Sequence, residues 1–138
     1  MPIDADKLAE YARGAMLNAY APYSGYCVGA ALLGKSGRVY LGCNIENAAY
    51  SPSVCAERSA VACAVSSGER EFEALAVCGG KNGVISGPFP PCGVCRQTLR
   101  EFCPDDFKVI IVNGPESYDQ LTLAQLLPYS FGPGNIKA

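Results

Sequence analysis

The chain has 138 residues, of which 49% are apolar and 17% are charged, and its formal net charge is −2. We expect one domain over residues 1–138, with loose ends at 1–3 and 132–138, because this length suits a single hydrophobic core. The nearly balanced charge argues against a polynucleotide-binding surface, which is usually basic. The chain has no histidine, which excludes Ser-His-Asp and Cys-His nucleophiles and any His-ligated metal. Proton transfer is left to a carboxylate, Lys, Tyr or a metal-bound water.

The eight cysteines make up about 6% of the chain, less than the roughly 8–10% typical of small disulfide scaffolds. Charged side chains interrupt the first twenty residues, so these do not resemble a signal peptide. No run approaches the roughly 18 apolar residues of a membrane-spanning helix. We therefore expect free thiols or metal ligands, a cytoplasmic location and no membrane partner.

Helix and strand patterns alternate along the chain. Asp4 is a candidate N-cap for the first helix, which we expect to end before Pro22, and Gly68 is a candidate C-terminal cap for the second. The predicted elements, in chain order, are a helix over 4–21, strands over 26–33 and 39–43, a helix over 55–67, a strand over 74–79, a helix over 92–102, strands over 109–113 and 118–123, and a helical turn over 123–127. This order predicts an α/β fold, a three-layer α-β-α sandwich around a mixed sheet of about five strands.

Two cysteine-bearing segments, 55–58 (CAER) and 90–97 (PPCGVCRQ), form a candidate metal site. We predict that Cys55, Cys92 and Cys95 bind one Zn²⁺ ion, since all three lie at the start of a predicted helix, where the N-terminus favours a thiolate. Three protein ligands leave a tetrahedral ion one open position, which is the arrangement of catalytic rather than structural zinc sites.

Glu57 is the candidate acid/base beside this metal. Residues two apart do not face each other on a regular helix. Glu57 therefore reaches a water on the metal only if Cys55 lies at or before the first helical residue, which we predict. A simpler interpretation is that Glu57 only complements the helix dipole. Arg58 and Arg96 are expected to donate hydrogen bonds to thiolate sulfur and to offset its negative charge.

The other five cysteines are predicted to be small buried side chains. Cys63 and Cys103 each lie eight residues beyond a proposed ligand, about 12 Å along a helix and too far to share its ion. Cys27 and Cys78 lie in apolar strand patterns. Cys43 ends a strand near the proposed site and is the remaining candidate for a fourth ligand.

The pattern C-x-E followed by P-C-x-x-C, together with residues 28–32 (VGAAL) and 42–50 (GCNIENAAY), resembles the three-cysteine zinc-deaminase signature. From about residue 19 to 131 the chain is similar to the short, homotetrameric cytidine deaminases of pyrimidine salvage. The resemblance implies zinc-dependent hydrolytic deamination of cytidine and 2′-deoxycytidine to uridine and 2′-deoxyuridine plus ammonia. It also implies one Zn²⁺ per subunit, attack of zinc-bound hydroxide on C4, proton transfer by Glu57, and active sites shared between the subunits of a homotetramer.

The resemblance further implies contacts to the nucleoside. Asn44 and Glu46 match the pair that binds the ribose hydroxyls, and the carboxylate would repel a nucleotide phosphate. Tyr26 lies where the family usually has a Phe that packs on the base. The other substrate-binding positions that it implies are Ala48 and Tyr50 at a subunit boundary, Ala56, Pro90 through its carbonyl, and Phe131 reaching into a neighbouring subunit's site. Simpler interpretations are an Asx-type turn at residues 44–46 and an anchored tail at residue 131.

Three other functions stay open at this point. A deaminase of a modified cytosine nucleoside, such as an aminoglycosyl antibiotic, would share the motif, although Asn44 and Glu46 suit ordinary ribose. A polynucleotide-editing deaminase is disfavoured by the lack of a basic, aromatic-lined groove in the sequence pattern. A structural zinc module would keep the metal but would have no need of Glu57.

Overall fold

Five strands form one mixed sheet in the computed structural model, which describes residues 3–137. The elements, in chain order, are α1 (Ala5–Met16), β1 (Tyr26–Gly34), β2 (Val39–Cys43), α2 (Ala56–Ser66), β3 (Phe72–Lys81), α3 (Gly93–Phe102), β4 (Lys108–Val112), β5 (Tyr118–Thr122), α4 (Leu123–Leu126) and a 3-10 turn (Pro133–Asn135). The strand order across the sheet is β2-β1-β3-β4-β5. β3 and β4 run parallel, while the other neighbouring pairs are antiparallel. The kind and order of the predicted elements are confirmed.

The predicted loose ends, 1–3 and 132–138, lie only partly within the described residues. Residues 1, 2 and 138 lie outside the described residues. Within the predicted loose C-terminal end, residues 133–135 form the 3-10 turn.

Alternate residues of β3 face two different helical layers. Ala74, Ala76 and Cys78 pack with residues of α1, whereas Leu75 and Val77 pack with residues of α2 and α3. A side-chain period of two with both faces apolar is what a strand covered on both sides requires. The predicted α-β-α sandwich is therefore confirmed.

The first helix ends at Met16, earlier than the predicted end at residue 21. Asp4 is its N-cap, as predicted. Beyond the helix, the N–H of Tyr20 donates to the carbonyl of Asn44 at 3.0 Å, and the Tyr20 carbonyl accepts from the N–H of Glu46 at 2.8 Å. The helix has to end before this pairing, because residue 20 is bound to the extended segment that follows β2.

Gly42 in β2 allows the first turn of α2 to lie directly on the sheet. A Cβ atom at this position would lie 2.3 Å from the carbonyl oxygen of Ala56 and 2.5 Å from the backbone nitrogen of Ala60. Both neighbours are main-chain atoms, so α2 would have to move to admit a side chain. The glycine thereby fixes where the N-terminus of α2 lies relative to the hairpin of β1 and β2.

One edge of the sheet gathers the elements that carry the candidate site. The register pairs Tyr26, the first residue of β1, with Lys81, the last residue of β3, and pairs Gly29 with Cys43 at the end of β2. The N-terminal ends of α2 and α3 meet beside this edge. Within residues 3–137, no helix is long and apolar enough to cross a membrane.

Candidate metal centre and substrate cavity

Three thiols converge where α2 and α3 begin. Cys55 is the N-cap of α2 and Cys92 is the N-cap of α3, while Cys95 lies in the first turn of α3 and is fully buried. The Sγ atoms of Cys55 and Cys92 are 3.8 Å apart, and those of Cys92 and Cys95 are 3.5 Å apart. Tetrahedral Zn–S bonds of about 2.3 Å place sulfur atoms about 3.8 Å apart, whereas a disulfide bond is only about 2.05 Å long. The thiols are spaced to hold one metal ion, and an all-sulfur ligand set suits Zn²⁺.

The thiolate form is favoured at Cys55. A hydrogen bond from the Cys95 thiol is the largest cause that lowers the pKa of Cys55, and the Arg58 guanidinium adds to it against the opposing effect of burial. The same hydrogen bond raises the pKa of Cys95. Arg58 Nη2 lies 3.8 Å from Cys55 Sγ and also donates to the carbonyl of Ser53 at 3.3 Å. Arg58 thus lies where it offsets negative charge on the sulfur.

Arg96 differs from the expectation that it donates to a thiolate. Its Nε donates to the carbonyl of Pro91 at 2.7 Å, and its Nη1 donates to the carbonyl of Leu126 at 2.6 Å. The last carbonyls of a helix lack partners within the helix, so the end of α4 offers a strong acceptor. Arg96 ties the segment before α3 to α4 instead of compensating the sulfur atoms.

Glu57 is the second residue of α2 and, among residues 3–137, the one charged side chain that is buried, with 4% of it exposed. Cys55 precedes the first helical residue, so the placement predicted for this pair is confirmed. Burial raises the pKa of Glu57 to about 7, and the negative charge of Cys55 contributes in the same direction. A carboxyl group that titrates near neutral pH can both take up a proton and return it.

The other five cysteines, all within residues 3–137, lie outside the group of three thiols. Cys78 and Cys103 are buried, as predicted, but Cys63 is exposed, so the predicted burial of Cys63 is wrong. Cys27 and Cys43 are half-buried. Cys43, the candidate for a fourth ligand, donates its S–H to a main-chain carbonyl after α1 at 3.5 Å.

A cavity of about 330 Å³ opens beside the thiols. This volume lies within the range of about 300–1,000 Å³ that is usual for small-molecule sites. The metal-side residues that line it are Cys55, Glu57, Arg58 and Cys92. The candidate substrate residues that line it are Asn44, Glu46, Ala56 and Pro90.

Glu46 is held by the turn that precedes β1. Its Oε1 accepts from the N–H of Tyr23 at 2.9 Å and from the N–H of Ser24 at 3.1 Å, and its Oε2 accepts from the Ser24 hydroxyl. The Ser24 hydroxyl is the largest cause that lowers the pKa of Glu46, and the positive charge of Lys81 also contributes. Glu46 is therefore an oriented, ionised acceptor at the wall of the cavity.

The Asn44 side chain continues the hydrogen-bond ladder of β1 beyond the end of β2. Its Oδ1 accepts from the N–H of Val28 at 2.8 Å, and its Nδ2 donates to the carbonyl of Tyr26 at 2.8 Å. An amide has two acceptor sites and two donors, so one of each is left over. Asn44 anchors the start of β1 and leaves one hydrogen-bond donor and one acceptor site free at the cavity.

The remaining candidate residues do not line the cavity formed within one chain. Tyr26 and Tyr50 are exposed, and Tyr50 lines a neighbouring space of about 360 Å³ together with Glu46. Ala48 is exposed in the loop between β2 and α2. Phe131 is 60% exposed, and its carbonyl accepts from Gln97 Nε2 at 2.9 Å.

Phe89 and Val28 line the cavity although neither was a candidate from the sequence. Val28 lies near the start of β1, where its N–H donates to Asn44. Its position at the cavity follows only from the strand register. Phe89 stands between two prolines directly before the Cys92 segment. An aromatic residue three positions before a predicted metal ligand could have identified Phe89 as a candidate cavity residue.

The fold and the site together define a class of α/β protein in which thiols at two helix N-termini can hold a metal beside a buried carboxylate and a small-molecule cavity. The family model described as "Cytidine and deoxycytidylate deaminase zinc-binding region" matches residues 3–111, a span that contains all three cysteines. The chain belongs to this cytidine and deoxycytidylate deaminase family. The resemblance stated from the motifs is thereby confirmed, and the metal of the centre is zinc.

Individual relatives agree with the family assignment. The chain is 46% identical over 129 residues to a cytidine deaminase of Sporosarcina psychrophila, covering 94% of this chain and 92% of the relative. It is 44% identical over 129 residues to a cytidine deaminase of Halalkalibacterium halodurans, covering 94% of this chain and 95% of the relative. The crystal structure of a cytidine deaminase from Burkholderia pseudomallei superposes with a TM-score of 0.82 at 41% identity, covering 90% of this chain and 96% of that one.

Proposed function

We propose that this chain is a hydrolase that deaminates cytidine and 2′-deoxycytidine to uridine and 2′-deoxyuridine, with release of ammonia, in pyrimidine salvage. The observation that carries the proposal is one cavity that brings together three thiols, the buried Glu57 and the oriented Glu46. The relatives named above bear the name of the same activity.

The three cysteines serve as the zinc ligands. A Zn²⁺ ion bound by Cys55, Cys92 and Cys95 supplies the activation of a water molecule as nucleophile. The N-termini of α2 and α3 and the Arg58 guanidinium stabilise the negative charge of the ligands.

Glu57 carries the protons of the reaction. Its carboxylate takes one proton from the attacking water and delivers it to N3 of the ring while the C4–O bond forms. It then passes the second water proton to the exocyclic amino group, and the C4–N bond breaks to release ammonia. Cytidine and water are thereby converted to uridine and ammonia with no proton gained or lost. Burial of Glu57 keeps bulk water from competing for these transfers.

The sugar is bound by residues at the end of the cavity lined by Asn44 and Glu46. Glu46 accepts a hydrogen bond from a ribose hydroxyl, and Asn44 offers its unused donor and acceptor. The fixed negative charge of Glu46 disfavours a nucleotide phosphate, so free nucleosides are preferred. The carbonyl of Pro90 is available to accept from the substrate amino group, because proline lacks only the N–H.

The working enzyme is a homotetramer in the cytoplasm, with one Zn²⁺ per subunit. Support for the assembly comes from candidate residues that lie outside the cavity of their own chain, since Tyr50 is 76% and Phe131 is 60% exposed. Shared sites would let Ala48, Tyr50 and Phe131 serve a neighbouring subunit. Analytical ultracentrifugation gives the oligomeric state of the wild type and of Phe131→Ala, and a cytidine assay gives their activity. A fully active monomer would contradict the proposed homotetramer with shared sites.

The decisive experiment for the activity is the Glu57→Gln variant. Zinc content, measured by metal analysis, is expected to stay at one ion per chain, while turnover of cytidine, followed by ultraviolet absorbance, is lost. Undiminished turnover in this variant would refute the proton-transfer role. Parallel assays of the wild type with cytidine, 2′-deoxycytidine and an aminoglycosyl cytosine antibiotic test the substrate class, and exclusive turnover of the antibiotic would overturn it.

A further inference from the structure

The C-terminal arm, residues 128–135, follows α4 and contacts α3. Within the arm Phe131 is 60% exposed, whereas the next residue, Gly132, is buried. We propose that Gln97 is a positioning residue that fixes the main chain at Phe131, so that the Phe131 ring is presented to a neighbouring subunit's cavity. The destination of the ring rests on the proposed function. The role of Gln97, and a fixed rather than loose arm, go beyond it.

Two side chains of α3 hold consecutive residues of the arm. Gln97 Nε2 donates to the carbonyl of Phe131 at 2.9 Å. A Cβ atom on Gly132 would lie 3.3 Å from both Cγ and Nε of Arg100, so the Arg100 side chain lies against the glycine main chain. Residues three apart lie on the same face of a helix. The arm is therefore docked along one face of α3, the helix that also carries Cys95.

The arm is also closed from within. The N–H of Gly132 donates to Asn135 Oδ1 at 2.8 Å, and the N–H of Asn135 donates to the Gly132 carbonyl at 3.0 Å. Pro133 has a fixed φ and restricts the residue before it. Phe131 thus lies between the Gln97 anchor and a closed 3-10 turn, and its ring is left exposed. A side chain presented on a fixed main chain loses little conformational freedom when it meets a partner.

The Gln97 hydrogen bond differs from the other contacts of the arm because it is made to the residue that carries the ring. Arg100 is held by its own ion pair with Asp105 at 2.8 Å, so it stays in place without Gln97. Loss of the Gln97 donor should therefore loosen the arm at Phe131 and leave the rest of the fold intact. A ring that contacts substrate and transition state alike contributes uniform binding, so a misplaced ring raises KM and leaves kcat nearly unchanged.

The first test compares variants of Gln97 in the zinc-loaded enzyme. Gln97→Leu removes the donor, and Gln97→Glu sets a carboxylate, which only accepts, against the Phe131 carbonyl. Both are expected to raise the KM for cytidine about fivefold, with kcat within about twofold of the wild type. Gln97→Lys keeps a donor and is expected to stay within about twofold of the wild-type KM. These variants should fold, since Gln97 is exposed.

Thr98→Ala is the matched control, because the Thr98 hydroxyl donates to the carbonyl of Val94 within α3 at 2.8 Å rather than to the arm. Its KM should equal that of the wild type. An anchor with no role at a site would change stability alone, so unchanged KM in both Gln97→Leu and Gln97→Glu overturns the inference. An equal rise of KM in Gln97→Lys overturns it as well, because the donor would then not matter.

A double-mutant cycle tests whether Gln97 acts through the Phe131 ring. Phe131→Ala removes the ring but keeps the carbonyl that Gln97 binds. Gln97→Leu is therefore expected to cause no further rise of KM in the Phe131→Ala background. Additive effects of the two substitutions would show that Gln97 acts by another route, which overturns the inference.

Mixed oligomers test whether Gln97 acts on a neighbour's site. Glu57→Gln chains keep an intact arm but cannot transfer protons, whereas Gln97→Leu chains keep Glu57 and lack the anchor of the arm. In equally co-expressed mixtures, about half of the Glu57-containing sites should receive an intact arm and regain the wild-type KM. A raised KM at every active site would place the effect of Gln97 within its own subunit and would overturn the inference.

Hydrogen exchange keeps this inference distinct from the proposed activity. Mass spectrometry of peptides that cover the arm is expected to show about fivefold faster exchange in Gln97→Leu than in the wild type and Thr98→Ala. If the wild type failed to turn over cytidine, the proposed function would fail, and the exchange comparison would still decide whether Gln97 fixes the arm. Equal exchange rates in the wild type and Gln97→Leu contradict the inference.

Discussion

Ser24 holds the carboxylate of Glu46 with two donors of its own, its N–H to Oε1 at 3.1 Å and its hydroxyl to Oε2. Both carboxylate oxygens are thus fixed from the side of the turn, and their free lone pairs are left for the cavity. We predict that Ser24→Ala raises the KM for cytidine about fivefold with little change in kcat, because Glu46 loses its orientation. Ser36→Ala is the matched control, since the Ser36 hydroxyl holds Glu69 in the same way and neither residue lines the cavity.

The same variant has a signature in pH. The Ser24 hydroxyl is the largest cause of the lowered pKa of Glu46, so its removal raises that pKa toward the ordinary value. The NMR titration profile of the Glu46 side-chain carboxyl carbon should then move to higher pH in Ser24→Ala. Superimposable profiles of wild type and variant would show that the Ser24 hydroxyl does not control the ionisation of Glu46.

Replacement of Arg58 and Arg96 by glutamine is expected to affect different properties, zinc affinity for Arg58 and stability for Arg96. Arg58→Gln removes the donor to Cys55 Sγ and should weaken zinc binding about tenfold, measured by competition with a chromophoric chelator. Arg96→Gln removes donors to two carbonyls and should lower the free energy of unfolding by about 2 kcal/mol. Its zinc affinity should stay within about threefold of the wild type. Equal losses of zinc affinity in both variants would contradict these different roles.

Cys103 should make the fold sensitive to alkaline pH. Burial raises the pKa of this thiol to about 12, above the roughly 8.5 of an unfolded cysteine. The folded state therefore disfavours the thiolate, and its contribution to stability is full below about pH 8.5 and is lost as pH rises toward 12. In urea titrations between pH 8 and 10, Cys103→Ala should lose less stability with pH than the wild type. Cys63→Ala, at an exposed position, should keep the wild-type pH dependence; equal slopes for all three proteins would refute the prediction.

Local spacing was enough to place the metal centre. Cys55 and Cys92 are each an N-cap. In a C-x-E segment the carboxylate can reach the metal only if the cysteine lies outside the helix, so the motif predicts the relative placement of Cys55 and Glu57. The strands were predictable for a similar reason, because the side-chain period of two shows which faces of a strand are apolar and therefore buried. These features depend on residues close together in sequence.

Features set by distant partners could not be predicted. Whether α1 stops at Met16 depends on the pairing of Tyr20 with residues 44–46, which helical periodicity does not encode. Arg96 turns to a carbonyl on α4 because that helix ends within its reach. Phe89 lines the cavity only because Gly79 leaves room for its ring on β3. Each outcome follows from tertiary packing that a single sequence does not display.

The 37-residue separation between Cys55 and Cys92 has a consequence for biosynthesis. At about 5–20 residues per second, a ribosome needs about two to seven seconds to add the second ligand after the first. α2 and β3 are synthesised during that interval, while Cys55 has no partner thiol from the later helix. Zinc loading of this centre therefore cannot be complete until Cys92 and Cys95 have been synthesised, and a nascent chain stalled before Cys92 carries an incomplete metal site.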